Sequence, residues 1–555
     1  MKKIISFLVM AFVAISLLAC KEATTTTAPL AVDEVAFTKT EKAFVNYSTE
    51  FIKDEPVETI SFYYYPGKEG LPYVDIGEFI GLLIGIIDEN TQVETNANQV
   101  RVWTEYFYTE EEKEDYGITE DSIVAYVVFD FLTETVSAPN VDAFDYFSGE
   151  TETDFSEGLN LVSYTEEELP ELVIPCGEYG FSFYVVEDGE EIRYTIPLSL
   201  AGLFLTGSMF DVVHNGDTLY GIDTYQLGDL RNSTADVYDA VRLNNDLTPA
   251  MELESRRFLE LAFDYFYGLK EYRGISSFQS YTADYFNGAP NFEYAFSEFT
   301  DSFADLHTGI ISYGRQNPGY DYPGDYPQFI LDYSYNYYGC ECNLFRKNFD
   351  LTFHEDMAYL KIIEFNIEFK ADLEPIMEEI REAEPKYVVI DLACNGGGVL
   401  AGVFHLLNYI TDEDISLYTV TLGARSSATY DVEGDKAIDA EFYFITSGAT
   451  YSAANLVTAL AKDMGLIKTI GSQSGGGACS VKALVLPNGA VMQMSSNMNL
   501  AYADFTTVEE GVPTDYPIDF HGAGMRYYQD GIRARFPSVQ SFYNVIQEMK
   551  SEEDE

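Results

Sequence analysis

Tyr443-Phe444-Ile445-Thr446-Ser447-Gly448-Ala449-Thr450-Tyr451-Ser452-Ala453-Ala454-Asn455-Leu456 is the stretch on which the reading of this chain turns. An apolar run suited to a buried strand gives way to a turn of small residues, then to a helix with Leu456, Leu460 and Met464 on one face. Ser452 stands where that helix begins. The first N–H groups of a helix have no intrahelical acceptor and the dipole is positive there. A serine in this place therefore has two possible uses. Ser452, or Thr450 beside it, can cap the helix with its hydroxyl. Alternatively Ser452 can attack a carbonyl whose developing oxyanion the open N–H groups stabilise.

The same strand–turn–helix grammar occurs upstream. Lys386 to Leu392 is an apolar run ending in Asp391, and Cys394-Asn395-Gly396-Gly397-Gly398 follows before a helix over Val399 to Ile410. Consecutive glycines let the backbone approach a reacting group and aim N–H donors at it. A phosphate loop is disfavoured, because no Gly-Lys-Ser/Thr follows. Strands expected at Met357 to Phe365, Lys386 to Leu392 and Phe442 to Thr446 alternate with helices at Leu373 to Glu382, Val399 to Ile410 and Ala453 to Met464. That alternation predicts an α/β core. Further upstream, Asp301-Ser302-Phe303-Ala304-Asp305-Leu306-His307-Thr308-Gly309 closes a helix expected over Glu293 to Asp305. A lone histidine is usually an ordinary surface or core residue, but a serine nucleophile needs a base within hydrogen-bond reach.

Together these segments resemble the tail-specific (C-terminal processing) and tricorn-core serine peptidases. Asp391 to Gly398 stands for that family's Asp-Leu-Arg-x-Asn-Gly-Gly-Gly turn, and Thr446 to Asn455 for its nucleophile segment, over roughly Ser255 to Pro537. Ala393 departs from the family's arginine and Asn455 from its glutamate. The resemblance implies a ClpP/crotonase-like peptidase core, with Ser452 as nucleophile and an oxyanion hole from Ala453 N–H with Gly397 or Gly398 N–H. One branch of the family pairs the serine with a downstream lysine, but that position is Gly477, inside Gly475-Gly476-Gly477. Lys482 lies nearby in a strand-like run, Ser480 to Leu486, which is also a candidate edge for receiving an extended peptide. The tricorn-like branch uses a histidine in an Asp-x-His-Thr motif, which Asp305 to Thr308 resembles, so His307 is implied as base. It also uses a glutamate shortly before a Gly-Val-x-Pro-Asp type segment. Glu509-Glu510-Gly511-Val512-Pro513-Thr514-Asp515 resembles this, and Glu510 is favoured over Glu509 as the residue that orients His307. Activity is expected to rise with an acid limb near ~6 to 7, moved upward by the Glu510 carboxylate and the negative field. The interval from His307 to Met357 is too short for an inserted PDZ domain of ~100 residues.

Of 555 residues, 92 are acidic and 32 basic, a formal net charge of −60 that repels phosphate backbones and excludes nucleic acid as a partner. Hydrophobic residues make up 46% with 43 Tyr and 39 Phe, enough for substantial cores. Five histidines lie far apart without HExxH, so no metal or other cofactor is expected. Met1-Lys2-Lys3, an apolar run to Leu18, and Leu17-Leu18-Ala19-Cys20 resemble a bacterial lipoprotein signal, implying a lipid on Cys20 and export to the cell envelope, membrane-tethered. The remaining five cysteines are irregularly spaced and support neither a disulfide framework nor a zinc site.

The expected domains are a signal peptide (1–19), a flexible tether (20–50), a β-rich α+β module of unknown ligand (51–235), a helical subdomain carrying His307 (250–350), the peptidase core (351–545) and an acidic tail (546–555). Within the N-terminal module, Leu71 to Ile80 and Tyr194 to Leu205 look like two halves of one design, and Asn215-Gly216 signals a hairpin. Two functions fit. One is a lipid-anchored serine endopeptidase acting on peptides or unfolded proteins; the other is a surface binding lipoprotein that keeps the peptidase fold without turnover.

Overall fold

The structure, a computed structural model, describes residues 30–53, 57–109, 121–149, 151–155, 159–228, 241–242, 247–314, 347–432, 436–518 and 538–553, with Lys113, Val237 and Asp239. The signal peptide, Cys20, Cys340 and Cys342 lie outside the described residues.

The strand Tyr387–Asp391 is buried at every position, as a continuous apolar run at the centre of a parallel sheet must be. Met357–Ile362 pairs parallel on one side of it and Glu441–Thr446 on the other; Ile467–Gly471 and then Tyr516–Pro517 extend the sheet in the same direction. Phe349–His354 closes the opposite edge antiparallel. Helices Phe369–Ala383, Ala401–Leu407 and Ala453–Asp463 connect these strands, so the alternation read from Met357 onward is realised. Both glycine-bearing turns then fall at the C-terminal ends of neighbouring parallel strands, where an open α/β sheet places its ligands.

A second sheet, largely antiparallel, runs in the order Gly309–Ser312, Val491–Ala501, Ile415–Thr421, Ala424–Asp431, Asn160–Glu166, with Cys479–Val485 also paired to Val491–Ala501. Asn160–Glu166 comes from the N-terminal half of the chain, so the N-terminal module is not self-contained. Cys479–Val485, expected as a receiving edge, packs against Phe210–His214 and the helices Leu198–Leu205 and Thr224–Gly228, which shield it. One hydrophobic cluster joins residues from the N-terminal sheets, from the helices Pro249–Phe266, Phe278–Phe286 and Phe292–Asp301, and from the strands around Cys479 and Met494.

The two-halves reading of the N-terminal module is borne out by geometry. Tyr73–Asp75 runs into helix Ile76–Leu83 and Glu191–Pro197 into helix Leu198–Leu205, and the two strands pair antiparallel, Asp75 opposite Thr195. Asn215-Gly216 turns the hairpin Phe210–His214/Thr218–Asp223. Two boundary expectations are corrected. The tether ends before Thr38: Thr38–Asn46 lies inside a seven-stranded sheet between Val57–Tyr64 and Thr218–Asp223. Its Thr, Lys and Glu side chains face water and disguise a strand whose Phe44 is buried. The acidic tail is instead helix Val539–Glu553, held by Phe542, Ile546 and Met549 at helical spacing on the parallel sheet.

Candidate active site

Ser452 sits at φ 55, ψ −126, a left-handed conformation that a side-chain-bearing residue holds at a cost of about 1–3 kcal/mol. It is the residue before helix Ala453–Asp463, yet its hydroxyl makes no cap bond. Thr450 does not cap either: its hydroxyl donates to the Leu392 carbonyl at 2.8 Å and accepts the Ser447 N–H at 3.0 Å. The neighbouring hydroxyls are consumed in holding the turn, with Ser447 Oγ donating to the Ala393 carbonyl at 2.5 Å and Thr446 Oγ1 to the Ser472 carbonyl at 2.7 Å. The Ser452 N–H donates to Gly476 O at 2.9 Å. A strained, uncapped serine on a strand-to-helix turn is the conformation that lifts a nucleophile out of a sheet.

The Gly396-Gly397-Gly398 turn lies directly against this serine. A Cβ on Gly397 (φ 107) would stand 2.6 Å from Ser452 Cβ and 2.9 Å from Ala453 N, so only glycine allows the approach. Gly397 N–H is already spent on Asn395 Oδ1 at 2.8 Å. Among the described residues Ala453 N–H and Gly398 N–H donate to no protein group. Of the two glycines offered for the oxyanion hole, Gly398 has the open donor, and Gly397 contributes by bringing the turn close.

His307 lies in the turn after helix Phe292–Asp301. Asp305, 1% exposed, fixes that turn: its carboxylate accepts His307 N–H at 2.9 Å, Thr308 Oγ1–H at 2.7 Å and Ser495 Oγ–H at 2.8 Å. The imidazole meets the Tyr451 ring edge-on, with centroids 4.8 Å apart, which places it beside the residue preceding Ser452. No hydrogen bond joins it to the Ser452 hydroxyl, and its Nδ1 is buried without a partner. Burial pushes the imidazole below its ordinary value while Asp305 pulls the other way. The acid limb is therefore expected below the ordinary histidine value, not above it as the sequence suggested.

The two late glutamates part company. Glu510 is exposed and accepts the Tyr272 hydroxyl at 3.0 Å. The Glu509 side chain is only 8% exposed, accepts Ala478 N–H at 2.8 Å and stands 3.7 Å from the Arg273 guanidinium. Burial, reinforced by Asp305, raises its carboxyl to about 7. The structure thus puts Glu509, and not Glu510, in the buried cluster with Asp305 and Tyr451. Neither carboxylate bonds the histidine.

Lys482 points away. Its ammonium donates to Gly207 O at 3.4 Å and lines a small cavity with Asp211 and Ser199 of the N-terminal module. At Gly477 a Cβ would come within 2.6 Å of the Tyr451 ring, so that ring occupies the room a lysine would need. The two family departures carry structural duties: Asn455 donates to Val508 O at 3.0 Å and accepts the Ser474 hydroxyl at 2.7 Å, and the Ala393 carbonyl anchors Ser447. Cys394 is disulfide-bonded, although the cysteine spacing supported no disulfide framework. Cys176 and Cys479 are free.

Residues 356–518, which hold Ser452, both glycine turns and both glutamates, match the model of peptidase family S41. This part of the chain is a serine-type peptidase S41 domain. His307 lies outside the matched span. A carboxyl-terminal-processing protease of Picosynechococcus sp. is 23% identical over 141 residues, 25% of this chain and 34% of that protein, so the chain spans about a third of that curated relative. Among solved structures, a putative peptidase from Parabacteroides merdae is 16% identical over 54% of this chain and 97% of that one, with a TM-score of 0.40. The tricorn protease is 12% identical over 83% and 59%, with a TM-score of 0.36. Sequence reasoning gave no role to Tyr451, although it stood in the quoted nucleophile segment; an aromatic residue there carries no motif signal.

Proposed function

We propose that this chain is an exported, lipid-anchored serine endopeptidase, with a ClpP/crotonase-like core, that acts on peptides or unfolded proteins. The observation that carries the reading is the uncapped, strained Ser452 packed against the glycine turn, with Ala453 and Gly398 N–H unspent among the described residues. Ser452 Oγ attacks the scissile carbonyl as His307 takes its proton. The carbonyl oxygen gathers negative charge against Ala453 and Gly398 N–H. Collapse breaks the C–N bond, and the amine leaves with the proton from the imidazolium. Water, deprotonated by His307, then attacks the acyl-serine; the ester C–O bond breaks and Ser452 recovers its proton. Glu509 supplies a buried carboxyl beside Asp305 and Tyr451 and holds the glycine turn whose Gly476 O receives the Ser452 N–H.

An unfolded protein substrate tests this. Ser452→Ala should stop its hydrolysis and His307→Ala should slow it at least ~10²-fold. Hydrolysis unchanged in Ser452→Ala would remove Ser452 as the nucleophile, whereas no hydrolysis by the wild-type chain would favour the alternative of a binding lipoprotein without turnover, a reading to which the missing Ser452–His307 hydrogen bond lends support. For the anchor, mass spectrometry of the mature N-terminus should find diacylglycerol on Cys20. The Cys394 disulfide fits an oxidising compartment. A Cys20→Ser form bound to membranes as before would place the anchor elsewhere.

A further inference from the structure

We propose that Tyr451 is a positioning residue that sets the His307 imidazole for the neighbouring Ser452. This rests on the nucleophile–base reading above. A catalytic histidine needs its ring orientation fixed, commonly by a carboxylate on Nδ1. Here Nδ1 has no partner, although Asp305 is close by and Glu509 lies beyond it near Asp305 and Tyr451. Asp305 spends its oxygens on the backbone and hydroxyl donors of its own turn and on Ser495, and Glu509 accepts Ala478 N–H.

What meets the imidazole is the buried Tyr451 ring, edge-on at 4.8 Å. That ring is itself held. Gly477 leaves it room, and its hydroxyl reaches Asp305 Oδ1 at 3.5 Å. Tyr451 N–H donates to the Asn395 carbonyl at 3.0 Å, and the next residue is the nucleophile. One side chain therefore couples the histidine turn, the glycine turns and Ser452, so a displacement of the ring displaces the base relative to the hydroxyl. The titratable groups facing His307 are Asp305 on its own turn and Tyr451 across from it, with Glu509 behind the phenol.

Tyr451→Leu and Tyr451→Phe in the full chain, assayed on one peptide across about pH 5 to 8, test the proposal. Tyr451→Leu should lower kcat by ~30-fold or more with KM within about twofold, since misplacing a reacting group by ~1 Å is worth ~10²-fold. Its acid limb should rise towards ~6.5 as water reaches the imidazole. Tyr451→Phe, which keeps the ring, should retain kcat within about threefold and the wild-type limb. Should Tyr451→Leu fail to melt cooperatively, Tyr451→Met carries the same test. A Leu or Met variant with wild-type kcat and limb overturns the proposal, as does a Phe variant that falls as far as Leu. Ser452→Ala and His307→Ala run alongside: if either keeps wild-type turnover the nucleophile–base reading fails and Tyr451 falls with it. A fully active Tyr451→Leu beside two inactive controls overturns the Tyr451 role alone.

Discussion

Two strand-to-helix junctions of this molecule use a polar residue at the helix start in opposite ways. At the end of Tyr73–Asp75, Asp75 takes φ −70, accepts the Glu78 and Tyr194 N–H groups at 3.0 and 2.9 Å, and has Arg193 at 3.8 Å. Every part of that carboxylate is used to hold the fold. At the end of Glu441–Thr446 the duty of holding the turn passes to Thr446, Ser447 and Thr450, and Ser452 is left strained with a hydroxyl that makes no cap bond. The sequence pattern is alike in the two places. The difference lies in which side chain makes the stitching hydrogen bonds, and an unspent polar group beside open N–H donors is the mark of chemistry, not of folding.

The comparison breaks most sharply by exchanging the two losses. Ser452→Ala should remove all hydrolysis with Tm nearly unchanged, because no cap bond is lost. Asp75→Ala should cost about 2 kcal/mol of stability while leaving kcat of the folded fraction intact. Thermal melts and steady-state kinetics of the pair check it. A Ser452→Ala variant that loses as much stability as Asp75→Ala would return Ser452 to the role of a cap.

Gly397→Ala should sharpen the oxyanion side. Its Cβ collides with Ser452 Cβ and must drive the turn away, so kcat should fall by ~10²-fold or more, read in single-turnover acylation.

Glu509 and Glu510 give a pH-resolved contrast. The folded Glu509 carboxyl titrates at about 7 against an ordinary 4.5, so the native state keeps a proton that the unfolded chain releases. Native stability therefore falls as pH rises through that window. Glu509→Gln, which cannot ionise, should gain on wild type by up to about 3 kcal/mol between pH ~5 and ~8. Glu510→Gln, at an exposed position, should stay within ~0.5 kcal/mol of wild type. Urea melts of both variants at the two pH values decide this.

The smallest effect on turnover belongs to Lys482. Lys482→Met should leave kcat within about threefold, since the ammonium faces Gly207 and not Ser452, while Tm falls because Asp145 and Asp211 lose their neighbouring cation.

The α/β alternation, the Ser452 turn and the glycine turn were legible because each is a local pattern: an apolar run, small residues, a helical period. Thr38–Asn46 was not, because a strand whose exposed face carries Thr, Lys and Glu reads as polar tether until its partners are known. The last helix was hidden in the same way behind an acidic ending. Glu509 and Glu510 are indistinguishable by motif, and only the fold decides which one turns inward. Tyr451 matters through a contact with a residue far away in sequence, which no periodicity records.

The central claim is that Ser452 is a reactive nucleophile. Its most direct test is treatment of the full chain with a fluorophosphonate, followed by intact mass and peptide mapping. The account predicts a single adduct, on Ser452, absent from Ser452→Ala and formed at least ~10²-fold more slowly in His307→Ala. No adduct on the folded wild-type chain, or one that persists in Ser452→Ala, would contradict it.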